Sequence, residues 1–277
     1  MSLDRAAFLK SSGAALIVTF ATPDRASDIG TIAVEGWLAV ERSGAVTLYS
    51  GKVELGTGTN TALAQLVADE LGVPFERVRI IQGITGLTPD QGVTSGSQTI
   101  QSGSLPMRRA AATAREKLIA LAAQRLNVPS SELFARDGYV LPRSSNGAGG
   151  VPFHDLIGGK EFAASVGAQE IILTVDPQAP LVGGTDGFRS VGKAVRRVDL
   201  PAKSYGTFEY VQNVRIAGMW HARVIRPARA GATLASVDRT SIAAIKEAQI
   251  VQRGNFVAVA APSEWDAIRA ARALKVT

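Results

Sequence analysis

Gly51-Lys52-Val53-Glu54-Leu55-Gly56-Thr57-Gly58-Thr59-Asn60-Thr61-Ala62-Leu63-Ala64-Gln65 passes from a polar, glycine-punctuated loop into a helix. Asn60 is the expected N-cap. Beyond it Leu63, Leu66, Val67 and Leu71 recur at helical spacing, and Asp69 and Glu70 fall off that face, where water is expected to solvate them. Gly72 is the expected helix end. Upstream, Trp37 to Val40, the turn Ser43-Gly44 and Val46 to Tyr49 read as a hairpin; downstream, Pro74 starts a turn and Val78 to Ile81 is a short strand. Gly56, Thr57 and Gly58 are candidate ligand contacts. Glycines let a backbone come close to a ligand, and the N–H groups of a helix start attract anions. A tight turn before a helix has the same look. The third glycine of a dinucleotide fingerprint and the Gly-Lys-Ser/Thr of a P-loop are both missing.

A second polar loop, residues 83–103, carries one charge, Asp90, and precedes a helix expected from Leu105 to about Leu126. Loops longer than about 12–15 residues inside a domain are usually functional or disordered. Thr94-Ser95-Gly96-Ser97-Gln98-Thr99 offers uncharged donors and acceptors suited to a heterocycle edge or a phosphate, with Thr94, Ser97, Gln98 and Thr99 as candidates. Two such loops, each leading into a helix, favour one shared anionic or nucleotide-like ligand. No histidine stands beside a nucleophile, and no G-x-S-x-G elbow is present. Glu54, in the first loop, reads as a surface carboxylate with ligand contact as the alternative, and His154 and His221 read as structural. With no catalytic dyad, the residues alone describe a two-domain binding protein for a phosphate-bearing ligand.

The chain has 277 residues, 46% hydrophobic and 19% charged, enough for two folded domains and too apolar for global disorder. With no cysteine and two histidines, it can hold neither a disulfide scaffold nor an iron–sulfur cluster. The net charge is +6, with the densest basic runs at Arg108-Arg109 and Arg196-Arg197 and at Arg223, Arg226 and Arg229. That balance, with 6% aromatic residues, is weak for nucleic acid, and no nucleic-acid partner is expected. An anionic cofactor or an acidic partner chain accounts for the charge. Phe8-Leu9-Lys10 and the apolar run Gly13 to Phe20 read either as a degenerate twin-arginine leader or as an N-terminal helix. No apolar run reaches the ~18 residues of a membrane span. Ser144 to Gly150 reads as an exposed turn, Phe153 to Gly167 as weakly helical and Pro177 to Ser190 as a Gly/Pro-rich connection. Beyond a boundary near Arg197, strands are expected at Phe208 to Val211, Met219 to Ile225 and Phe256 to Ala260, and helices at Ile242 to Ala248 and Ser263 to Ala273. The fold class is α+β.

The run 51–65 is similar to the pterin-binding loop and helix of the molybdenum hydroxylases, the xanthine dehydrogenase and aldehyde oxidase superfamily, in particular large subunits of the isoquinoline 1-oxidoreductase type. Asp69-Glu70-Leu71-Gly72-Val73-Pro74, Val78-Arg79, Thr88-Pro89-Asp90-Gln91-Gly92 and Thr94-Ser95-Gly96-Ser97 continue the match. Arg196-Arg197-Val198-Asp199-Leu200-Pro201-Ala202-Lys203, Gly206, Tyr210, Gly218-Met219 and Arg226-Pro227 resemble the family's a/b hammerhead domain; Trp265-Asp266-Ala267 and Ala271 to Val276 resemble that domain's last helix and strand. The resemblance covers nearly all of residues 35–277, in family order.

Residues 1–30 are expected to be a leader or N-terminal extension, and the resemblance implies a molybdopterin-binding portion at 31–196 and an a/b hammerhead-like domain at 197–277. It implies a molybdopterin cytosine dinucleotide cofactor carrying molybdenum, contacted by Gly56, Thr57, Gly58, Thr94, Ser97, Gln98 and Thr99, and it assigns no catalytic residue and no metal ligand to this chain. Thr57 stands where the family usually has glutamine. Family large subunits are far longer, and their catalytic glutamate has no counterpart here. The expected partners are therefore a second large-subunit piece carrying that glutamate, a small subunit with 2Fe–2S clusters and a small-molecule substrate. The implied reaction hydroxylates an aldehyde or N-heteroaromatic ring with water as oxygen source. A non-catalytic binding or assembly module is the alternative. The expected location is the cytoplasm, or the periplasm if the leader functions.

Overall fold

The structure, a computed structural model, describes residues 14–19, 36–41, 43–144, 149–158, 171–183 and 187–277. Residues 1–13 and 20–35, and thus most of the expected extension, lie outside the described residues, as do 145–148 and 159–170. The chain divides into two compact units, Met1–Thr207 and Phe208–Thr277.

The first unit contains β1 (Ala14–Thr19), β2 (Gly36–Glu41), β3 (Val46–Ser50), α1 (Thr59–Leu71), β4 (Val78–Gln82), α2 (Gln98–Gln101), α3 (Ser104–Leu126), β5 (Leu133–Arg136), β6 (Tyr139–Pro142), β7 (Val151–Pro152), α4 (Phe153–Gly158), β8 (Ile171–Thr174) and α5 (Leu200–Ser204). The main sheet has the order β4-β3-β2-β1-β8. The expected hairpin is the antiparallel pair β2–β3, and α1 is the crossover that lets β3 and β4 run parallel. Ala14–Thr19, expected within a leader or helix, is a strand pairing antiparallel with β2 and parallel with β8. A sheet β5-β6-β7 stands beside it.

The core of this unit lies between sheet and helices. Leu38, Val40, Val46 and Leu48 meet Leu63, Val67 and Leu71 of α1 and Met107, Ala110, Ala111, Ala114 and Leu118 of α3, and all twelve are wholly buried. Each fully buried leucine contributes about 1.5–3 kcal/mol. The small alanine face of α3 lets the two helices pack closely.

Asp69 and Glu70 are buried, not solvated. A second layer, built from residues 179–183 and 187–199, lies against α1 and takes both carboxylates as its anchors. Asp69 accepts the Ser190 N–H (2.9 Å to Oδ1), the Ser190 hydroxyl (2.9 Å) and the Val191 N–H (2.8 Å). Glu70 accepts the Val182 N–H at 2.8 Å and is clamped by Arg108 and Arg115 of α3.

The second unit contains β9 (His221–Ile225), β10 (Val237–Asp238), β11 (Gln249–Arg253), β12 (Phe256–Ala261), α6 (Glu264–Ala273) and β13 (Lys275–Val276). The sheet β11-β12-β9 is antiparallel, and β10 pairs with β13. Val257 and Val259 pack with Ile242, Ala270 and Leu274. Ser263 caps α6, accepting the Asp266 N–H. Two expected elements are corrected. Phe208 to Val211 is irregular and runs into a 3₁₀ turn at Val211–Asn213. Ile242 to Ala248 is not a helix: a 3₁₀ turn at Arg239–Ile242 starts where the Asp238 carboxylate accepts the Thr240 N–H, and Glu247 at φ 62° breaks the run. Among the described residues no helix is long and apolar enough to cross a membrane.

Candidate functional site

The two glycine-bearing loops lie side by side because the first grips the backbone of the second. The buried Lys52 ammonium donates to the carbonyls of Gln91 and Val93, both at 2.7 Å. The Gln91 side-chain oxygen accepts the Ser50 hydroxyl (3.0 Å) and the Gly51 N–H (2.9 Å), and its amide nitrogen donates to the Gly103 carbonyl (3.3 Å). The Val53 N–H donates to Thr94 Oγ1 at 3.1 Å. Gly51 has no alternative here: a Cβ would stand 1.9 Å from the Pro89 carbonyl oxygen.

Asn60 does not cap α1. The N-cap position is Gly58 at φ 81°, and the capping group is Glu54, four residues earlier. Its carboxylate accepts the N–H groups of Gly58 (2.8 Å) and Asn60 (3.2 Å) and the Thr59 hydroxyl (3.2 Å). Burial pushes the Glu54 carboxyl up, but these bonds, with one from the Gly56 N–H, outweigh it and hold the group below its ordinary value. The Gly56, Gly58 and Asn60 amides, donors that the sequence offers to an outside anion, are thus engaged by the chain's own carboxylate.

Arg197 braces this turn from outside. It donates to the Gly56 carbonyl (3.0 Å) and forks onto Asp199 (3.0 and 2.8 Å), and its side chain lies where a Cβ on Gly58 would point, 3.3 Å away. The Arg197 fork holds Asp199 well below the usual carboxylate range against the opposing effect of burial, with Lys203 adding a further bond at 2.6 Å. The Val198 N–H donates to Thr61 Oγ1 at 3.1 Å, tying the same segment to the first turn of α1.

Between the loops is a cavity of about 280 Å³ lined by Val53, Leu55, Thr57, Thr59, Thr94, Ser95, Gly96, Ser97, Thr99 and Ile100. Of the expected site residues, Thr57, Thr94, Ser97 and Thr99 meet here. Gly56 and Gly58 shape the turn behind Thr57 without lining the space. Gln98 turns back on its own helix, donating to the Gly96 carbonyl and Gln101 and accepting from Ser102. No ionisable side chain lines the cavity. Hydroxyls share the lining with apolar Val53, Leu55 and Ile100, a combination that can bond the polar atoms of a flat ring while giving it apolar contact. His154 lies exposed beside Asp155. Among the described residues no group of three or more His, Asp or Glu could hold a metal ion.

The bracing residues Lys52, Gln91, Arg197 and Asp199 lie within the runs that resemble the family, but nothing in those runs marks them as braces. The one signal available is that Lys52 and Asp199 are charges set beside buried or glycine-bearing backbone, which must be paired.

The molybdopterin cofactor-binding domain family matches residues 5–179 of the chain. A nicotinate dehydrogenase polypeptide of Pseudomonas putida is 38% identical over 250 residues, which are 87% of this chain and 20% of that protein. The beta chain of isoquinoline 1-oxidoreductase from Brevundimonas diminuta is 28% identical over 73% of this chain and 29% of its own length. Quinoline 2-oxidoreductase from Pseudomonas putida 86, a solved structure, matches 46% of this chain and 16% of its own at 33% identity, with a TM-score of 0.41. The chain therefore spans a fifth to under a third of the curated relatives' lengths.

Proposed function

The chain belongs to the molybdopterin cofactor-binding domain family, and from that premise we propose that it forms one wall of the cofactor site in a molybdenum hydroxylase whose large subunit is divided between polypeptides. The observation that carries this reading is the cavity between two mutually bonded loops, lined by hydroxyls and apolar side chains with no ionisable group. This lining suits the pterin end of the cofactor: Thr57, Thr94, Ser97 and Thr99 would hold its polar atoms, and Val53 and Ile100 would supply apolar contact. The phosphate-bearing end would find its donors elsewhere, since the Gly58 and Asn60 amides at the α1 start are engaged by Glu54. The cytosine dinucleotide form is the one the resemblance assigns.

When bound, the cofactor supplies the redox metal, and the reaction assigned to it is hydroxylation of an aldehyde or N-heteroaromatic carbon with oxygen from water. This chain's part is to bind and orient the cofactor. The catalytic glutamate and the 2Fe–2S clusters come from a second large-subunit polypeptide and a cysteine-rich small subunit, and the chain alone is inactive. Relatives named as dehydrogenases and oxidoreductases of nicotinate and isoquinoline support an N-heteroaromatic substrate.

The test is isolation of the tagged chain from its own cells, with molybdenum and cytosine nucleotide quantified. Stoichiometric molybdenum together with a second large-subunit polypeptide supports the proposal. A lone chain without molybdenum overturns it and leaves a binding module.

A further inference from the structure

The sheet of the second unit is covered on one face only. Ile225, Ile250, Val257 and Val259 point to α6 and the small core. Residues of opposite parity form the other face, and there the register lines up Val224, Ala258 and Val251 in one row across all three strands, with Ala222, Ala260 and Gln249 in a neighbouring row and Phe256 opposite Arg253. Val224, Val251 and Phe256 are 46%, 41% and 47% exposed. A water-facing side of an antiparallel sheet ordinarily alternates to polar residues; this one exposes Val224, Val251 and Phe256 around a buried Ala258, with Gln249 and Arg253 at its margin, an apolar strip suited to being covered.

Charge selects what covers it. Residues 208–277 hold ten Lys and Arg against five Asp and Glu, so this short unit carries most of the chain's net charge of +6. A second copy would bring the same excess against itself, with Arg253 on the apposed patch in a two-fold arrangement. A partner with a short apolar strip bordered by carboxylates is complementary.

We propose that the Val224–Ala258–Val251 face docks the second large-subunit polypeptide, through an apolar strip flanked by Asp or Glu; this rests on the divided-subunit reading. Arg253 sets the orientation, and Phe256 fills a pocket on the partner.

The absence of cysteine makes the test clean. Val251→Cys, and as control the neighbouring exposed Gln252→Cys on the opposite face, are labelled with a thiol-reactive benzophenone in the full chain and photolysed within the complex isolated from its own cells. The expected result is a crosslink from position 251, about tenfold above that from 252, to a polypeptide whose sequenced peptides belong to the molybdopterin cofactor-binding family. Val251→Asp is expected to cut partner recovery about tenfold, with an unchanged urea midpoint for the chain alone. Crosslinking to another copy of this chain or to the iron–sulfur subunit overturns the proposal. So does tight binding of the lone chain to phosphatidylglycerol vesicles through position 251, or a molybdenum-bearing complex that forms without protecting it. A complex lacking molybdenum or a second large-subunit polypeptide overturns instead the reading on which the proposal rests.

Discussion

Replacing Glu70 by glutamine tests whether the second layer over α1 is held by charge. The carboxylate is wholly buried. It accepts Arg108 Nε at 2.7 Å and Nη2 at 2.5 Å, Arg115 Nη1 at 3.4 Å and the Val182 N–H at 2.8 Å. The two arginines keep 22% and 11% of their side-chain surface in water, so they are poorly placed to lose their counter-charge. Glutamine keeps the shape but removes the buried counter-charge of both guanidiniums, leaving Arg108 the Val182 carbonyl and Arg115 the half-exposed Glu116 and backbone carbonyls. Removing one member of a buried pair costs about 3–5 kcal/mol, and the residual exposure of Arg108 places the expected loss near ~3 kcal/mol. With a urea slope of about 2–3 kcal/mol/M, the midpoint should fall by roughly 1–1.5 M. Trp37 is the one tryptophan in the first unit, so a Trp220→Phe, Trp265→Phe background isolates its signal. Glu116→Gln is the comparator: that carboxylate bonds the same Arg115 at 3.2 Å but is 45% exposed, and its loss should cost under about 1 kcal/mol. Cleavage by a broad-specificity protease within residues 179–183 should also quicken in Glu70→Gln. Equal midpoints for the two variants would refute the argument that Glu70 is the electrostatic anchor.

Gly51→Ala must push the loops apart, because its methyl would overlap the Pro89 carbonyl; a stability loss of about 1–3 kcal/mol and a fall in bound molybdenum are expected together, read by urea unfolding and metal analysis. Glu54→Gln removes the cap of α1. Because the folded-state value of Glu54 lies below its ordinary one, its contribution is present above the unfolded value of about 4.3 and fades as pH falls through the folded one. The variant should therefore be weaker by about 1–2 kcal/mol at pH 7, with the gap closing below about pH 4 in paired urea titrations. Thr57→Gln lengthens the side chain that lines the cavity. One added amide bond of about 0.5–1.5 kcal/mol should slow cofactor release by roughly 2–10-fold, measured by chase with excess apo-protein. Ser263→Ala removes the α6 cap, a bond of 3.4 Å, and should cost about 0.5–1 kcal/mol by Trp265 fluorescence with Trp220 replaced.

The elements legible in the sequence are those whose signal is local. The β2–β3 hairpin, α1, α3, β12 and α6 each carry their own apolar period within a single window. The burial of Asp69 and Glu70 is not legible, because their partners lie up to 122 residues away and helix geometry alone cannot say which side a second layer will cover. Asn60 has the right residue type for a cap, but the loop curls back and delivers Glu54 first. Phe208 to Val211 has strand composition and no ladder to join; Val211 stays 91% exposed. β11, Gln-Ile-Val-Gln-Arg, is half polar because it is an edge strand of the three-stranded sheet, with one partner strand only. At the candidate site both loops are readable as a pair, and four of their side chains converge. Gln98 departs from the expectation because its neighbours in sequence give no hint that it bonds along its own helix. The braces Lys52 and Arg197 depend on backbone carbonyls, which sequence does not label.

The brace between Arg197 and the Gly56 carbonyl joins residues 141 apart. A ribosome adding about 5–20 residues per second releases Gly56 roughly 7–28 s before Arg197. For that interval the turn that opens α1 exists as nascent chain with its capping glutamate but without its outer clasp. The pocket wall is therefore a late product of synthesis, finished only when the strap over α1 has emerged, and conditions that stall translation between these points would hold it open.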